Sequence, residues 1–224
     1  MGILDAIRSP ARGMREASGR GAKPGLVVIV LWVVVSLLAS GLGLILGGFT
    51  PPEEIIDSLP PGSVPAELDE QSLERFITGF QVFGIGLRVF WPFLYWPVLT
   101  LVMHLITRFF GGEGALSGMF GAMGVACVPF VISGLLQQPI IGVQAALDGG
   151  SVSQALGLAG GLLNVAFVIW HVVLAVIGAA VARQLSYGRS SGSCAISCAT
   201  VIGVPILLLL VLAVVLAVAG GGGG

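Results

Sequence analysis

Residues 25–46 read GLVVIVLWVVVSLLASGLGLIL, without a charged side chain from end to end. Roughly 20 helical residues cross a bilayer's ~30 Å hydrocarbon layer, so this run is long enough to span. Backbone polar groups in lipid must bond within their own segment, which makes such a run a helix. The same signature recurs over 85–107, 117–136, 156–182 and 196–219. The second of these ends at Thr107 and begins between Gln81 and Val89. The expected fold is all-α, a polytopic integral membrane protein whose five transmembrane helices form one domain over 25–219. A basic segment over 1–24 precedes it, an acidic loop fills 47–80, and a glycine tail closes 220–224.

Composition supports the lipid reading. Of 224 residues, 56% are hydrophobic and only 9% charged. A soluble domain carries about 25% charged residues. The 35 glycines suit helices that approach closely in a membrane. Three cysteines cannot pair completely, which excludes a disulfide-built secreted domain. No basic tract is interleaved with aromatics, so nucleic acid is not an expected partner.

Charge then orients the chain. Arg8, Arg12, Arg15, Arg20 and Lys23 precede the first span, while Glu53, Glu54, Asp57, Glu67, Asp69, Glu70 and Glu74 follow it against Arg75 alone. Arg108 lies after the second span, Asp148 after the third, and Arg183 and Arg189 after the fourth. Cytoplasmic flanks collect Lys and Arg, so the N-terminus is expected inside and the C-terminus outside. Leu38-Ala39-Ser40-Gly41 offers small residues to a signal peptidase, but the run exceeds the usual h-region and reads as an uncleaved anchor.

Between the spans, Pro51, Pro52, Pro60, Pro61 and Pro65 predict an extended start to the loop. Ala66 to Thr78 then reads as a short helix on the outer surface, or as a solvated acidic linker. At the N-terminus, Ile3, Leu4 and Ile7 fall at helical spacing beside Arg8, with Pro10 expected to stop that turn. This predicts an interfacial foot on anionic headgroups; a disordered basic tail is the competing reading.

Arg88 lies about 20 residues before Arg108, hence about 30 Å along a helix. That is one hydrocarbon thickness, so Arg88 reads as an interfacial anchor with Trp91 beside it rather than as a charge at mid-bilayer. Pro92, Pro97, Pro129 and Pro205 interrupt spans, for packing or for a solute path. Gly157, Asn164, His171 and Gly178 recur every seven residues and predict one stripe facing the bundle interior, either a packing seam or a polar path. Gly114, Gly118 and Gly121 give another close-approach face, and His104 with Arg108 forms a cationic pair suited to an anionic headgroup. Cys194 and Cys198 share a helical face without the further ligands zinc needs. Every Asp and Glu lies outside the spans, and Ser133 with His171 lacks a nucleophile motif. No catalytic, metal or cofactor site is therefore expected.

Ile7-Arg8-Ser9-Pro10 ahead of Met14, the run Arg108-Phe109-Phe110-Gly111-Gly112-Glu113-Gly114, and Pro129 in the third span together resemble the Yip (Ypt-interacting protein) domain family of five-span membrane proteins. Glu113 departs from the basic residue frequent there. Eukaryotic members bind Rab-type GTPases and act in vesicle traffic, and they carry a long cytosolic N-terminal region and an Asp-Leu-Tyr-Gly-Pro motif. Neither occurs here, so small-GTPase binding does not follow from the resemblance, and the chain is similar to prokaryotic members. The implied role is membrane organisation or scaffolding of partner proteins, with anionic lipids, other membrane proteins or further copies of the chain as partners. A small-solute or ion transporter using the Asn164 and His171 stripe is the alternative.

Overall fold

The computed structural model describes residues 7–45, 52–57, 70–145 and 151–220. The expectations placed on Ile3, Leu4, residues 58–69, Asp148 and the last four glycines lie outside them. The described residues are helical and hold no strand. In chain order they form α1 (Pro10–Gly19), α2 (Lys23–Ile45), α3 (Pro52–Asp57), α4 (Glu70–Phe109), α5 (Leu116–Ala126), α6 (Val128–Ala145), α7 (Ser151–Arg183) and α8 (Tyr187–Gly220). Four stretches among them are long and apolar enough to cross a bilayer: Lys23–Leu42, Gln71–Phe109, Leu116–Gln137 and Ser151–Arg183. Leu26, Val27, Val30, Val34, Leu37 and Leu38 of α2 are all exposed, the surface of a helix that meets lipid.

Several expectations are corrected. Ile7 and Arg8 are helical and that turn ends at Ser9, as expected ahead of Pro10, but Pro10 also opens α1, with Ser9 at the N-cap. A proline fits the first helical position because its missing N–H has no intrahelical partner there and its φ is already helical. Pro52 likewise opens the short α3, whose first turn carries Glu53 and Glu54, where the loop was expected to be extended. No separate surface helix ends at Thr78; residues 70–78 are the start of α4, 40 residues long. Gly79, Gly84 and Gly86 each cost about 1 kcal/mol of helix propensity but keep their N–H groups, so they do not terminate it. α4 also runs on through Pro92 and Pro97, and α8 through Pro205. The span that does break is the third, at Cys127 between α5 and α6. Pro129 sits in the first turn of α6, and its lost N–H together with the restriction on the residue before it favours a new start there.

Contacts group the chain into two units, one drawn from Met1–Val28, Tyr95–Val128 and Trp170–Gly224 and the other from Ile29–Leu94 and Pro129–Ile169. In the second unit Trp32 stacks on Phe130 at 4.9 Å. Gly134 there faces Val35, whose Cγ1 would lie 2.8 Å from a Cβ at that position. The first unit is built around α5, where Gly118, Met119 and every residue from Gly121 to Ala126 are buried.

Candidate functional site

The glycines of α5 bring backbone against backbone. A Cβ on Gly118 would stand 2.7 Å from Ser18 Oγ, and one on Gly121 would stand 2.6 Å from the Ala17 carbonyl oxygen while overlapping that of Gly21. A Cβ on Gly124 would overlap the Gly25 backbone, and one on Gly114 the Ala182 carbonyl. Only glycine permits such approach at van der Waals distance. From α1, Met14 and Ala17 pack into this seam with no exposed surface. The spacing of Gly13, Met14 and Ala17 on one helical face was the signal for this docking, and the sequence reading passed over it. On another side of α5, Trp96 Nε1 donates to the Phe120 carbonyl at 3.0 Å, and the two rings meet edge to face at 5.2 Å.

The break at Cys127 also sets the environment of His171. Pro129 cannot donate to Val125, and α5 ends at Ala126, whose carbonyl is left for a partner from another helix. His171 Nδ1 lies 2.8 Å from the Ala126 carbonyl oxygen, which can only accept, so that nitrogen carries the proton. Nε2 is then free to accept from the Tyr95 hydroxyl at 2.9 Å. With both ring nitrogens engaged and 4% of its surface exposed, His171 is a packed residue. The stripe predicted on the fourth span divides: His171 and Gly178 are buried, whereas Gly157 and Asn164 are exposed. Ala126 and Tyr95, on two other helices, hold the histidine in place; no periodicity along α7 reveals them. Ser133 belongs to the second unit, where its hydroxyl accepts from Gln137 Nε2 at 2.8 Å. Arg88 and Trp91 are both exposed, one turn apart on α4.

The polar end of the first unit is formed by two helix-ending turns that brace each other. α4 ends with Gly111 at φ +84°, Gly111 N–H donating to Arg108 O at 3.0 Å and Gly112 N–H to Thr107 O at 2.9 Å. This is a Schellman end, and its positive φ requires glycine or a strained residue. α7 ends in the same way, with Gln184 at φ 55° and Leu185 N–H donating to Ala180 O at 2.9 Å. The two ends lock through Arg183. Its carbonyl accepts from Glu113 N–H at 3.2 Å, and its Nη2 donates to the Gly112 carbonyl. A Cβ on Gly112 would come within 3.0 Å of Arg183 Nε, so the second glycine of the pair makes room for the guanidinium. α8 is tied on by Ser190 Oγ, which donates to Val176 O at 2.6 Å.

Beside these turns lies a 480 Å³ pocket lined by His104, Arg108, Gly112, Glu113, Gly114, Ala115, Leu116 and Arg183. A second pocket of 550 Å³ is bordered by Arg15 and by Gln184 to Tyr187. Among the described residues no group of three or more His, Cys, Asp or Glu side chains could hold a metal ion. Cys194 and Cys198 face each other at 4.0 Å as free thiols.

Pro10, Arg108, Gly111, Gly112, Gly114 and Pro129 therefore fall at the start of a helix, in the braced turn or at the helix break. The family model of the Yip1 domain matches residues 4–214. The chain belongs to the Yip1 domain family. No curated protein and no solved structure gives a match. In this Yip1 domain the run from Arg108 to Gly114 is thus an architectural joint. Its arginine borders the pocket, its first Gly-Gly pair turns the chain and admits Arg183, and its last glycine lets α5 start against the backbone of α7.

Proposed function

We propose that this Yip1-domain protein crosses a prokaryotic cytoplasmic membrane five times, N-terminus inside and C-terminus outside, and acts without catalysis as a membrane organiser or a scaffold. The fifth crossing is α8, whose uncharged stretch over 196–219 continues a helix of 34 residues. The alternation of basic flanks supports the orientation.

The observation that carries the scaffolding reading is the outer half of α7. Leu158 and Leu162 are each 72% exposed, Gly157 and Asn164 are exposed, and a Cβ on Gly161 would meet nothing within 4 Å. Gly157 and Gly161 are spaced as a small-x-x-x-small pair, and an amide on an apolar span gains about 0.6–2 kcal/mol from a partner across a helix contact. By contrast, the α5 glycines are already filled by the chain's own α1 and α2, so association falls to α7. Single cysteines placed at Gly161 and Asn164 of a cysteine-free chain should crosslink in native membranes, to a second copy or to another membrane protein. Asn164→Leu should weaken that product. Recovery of monomer alone at both positions would refute the assignment. The transport alternative gains nothing from His171, whose ring is packed and hydrogen-bonded on both sides.

A further inference from the structure

The pocket beside the α4–α5 turn is lined by Arg108, Arg183 and His104 against a single acid, Glu113. Arg183 is 2% exposed, and its guanidinium donates through Nη2 to a backbone carbonyl. Its Nε is buried without a hydrogen-bond partner, and so is His104 Nδ1 on the same lining. A buried cation whose donors are incompletely satisfied is costly unless an anion reaches it. Arg108 stands one turn from His104 and is exposed at the rim. The lining also includes Ala115 and Leu116, the start of α5, where no side chain caps the helix. The first N–H groups of a helix have no intrahelical acceptors and carry the positive end of its dipole. Glu113 is the one acid on the lining; it is exposed, and its backbone N–H, not its carboxylate, holds the joint.

We propose that this pocket binds a phosphate group, with Arg108 and Arg183 as cationic arms, His104 as a further donor and the N-terminus of α5 as the floor. The chemistry is that of a phosphomonoester: several acceptor oxygens and more than one negative charge, matched by fork-shaped guanidinium donors and helix N–H groups. A lipid headgroup and a soluble phosphate share it. The inference does not depend on the scaffolding reading, because it uses none of the α7 outer face.

The test uses the full chain purified in detergent and exposed to phosphatidic acid, phosphatidylcholine and inorganic phosphate, with bound species counted by native mass spectrometry. Phosphatidic acid should be retained over phosphatidylcholine, and inorganic phosphate should compete for the same site. Losing one charge-assisted contact in Arg108→Gln should weaken binding about tenfold. Glu113→Gln removes a like charge at the rim and should tighten it roughly threefold. That second change runs opposite to any effect of misfolding. Arg183→Gln should abolish binding; if it fails to fold, the two rim variants still decide. Phosphate binding without preference for phosphatidic acid would assign the site to a soluble ligand. Equal retention of both lipids with no phosphate binding would overturn the proposal, as would affinities unmoved by Arg108→Gln and Glu113→Gln.

Discussion

A glycine in a helix of this protein matters according to what a methyl group in its place would strike. At Gly121 the obstacle is the backbone of α1 and of the turn that follows it, which cannot move without undocking the helix. Gly121→Ala should therefore cost about 1–3 kcal/mol, as overpacking does, and lower the thermal midpoint of the detergent-purified protein by several degrees. At Gly178 the nearest atom is the flexible Met123 Cε at 3.0 Å, and the same substitution should be nearly silent in the same assay. Equal losses at both sites would overturn the assignment to backbone contact, because the better helix propensity of Ala on its own would stabilise both variants by about 1 kcal/mol. The periodicity of Gly114, Gly118 and Gly121 was legible in the sequence. What they pack against was not, because the partner is a carbonyl-lined backbone that leaves no side-chain pattern. The stripe of Gly157, Asn164, His171 and Gly178 shows the limit of such reading. A period of seven places residues on one face, but whether that face is covered depends on how far the neighbouring helices extend.

Helix ends here are set by local backbone chemistry. The chain stops α4 with Gly111 and α7 with Gln184, in matching Schellman geometry. Glycine adopts the left-handed conformation freely, whereas glutamine does so at a cost of roughly 1 kcal/mol. Gln184→Gly should therefore raise stability by about 0.5–1 kcal/mol, visible as a higher melting midpoint in detergent. A fall instead would show that the Gln184 side chain contributes packing worth more than that strain. The end at Gly111 could be read from the Gly-Gly pair, but nothing in Gln184-Leu185 announces the second end. Likewise Pro129 marked a disturbance in the third span, but what fills the break, His171 taking the Ala126 carbonyl, required a residue from α7 to be seen. Prolines at 92, 97 and 205 gave the same sequence signal without a break. A single lost hydrogen bond kinks a long apolar helix more readily than it ends one.

For the whole molecule, hydropathy and glycine content were sufficient to give an all-helical membrane protein, while the family rested on the run from Arg108 to Gly114 with Pro10 and Pro129. In the proposed topology the direction of each crossing follows from where the arginines lie. A periplasmic reporter fused after Gly220 should be active, and the same reporter fused ahead of Ile7 silent. Activity at neither end or at both would remove the odd number of crossings. The part of the molecule that composition concealed is the first unit, in which Pro10–Gly19 of the basic leading segment form a docked helix with Met14 and Ala17 fully enclosed. That docking has a consequence for how the protein is born. Ser18 and Ala17 of α1 abut Gly118 and Gly121, so α1 lacks this partner until the ribosome has added about 100 further residues, a wait on the order of 5–20 s at ordinary elongation rates. A nascent chain arrested before Gly118 would display an undocked leading segment, and the clock for closing this fold starts when α5 leaves the translocon.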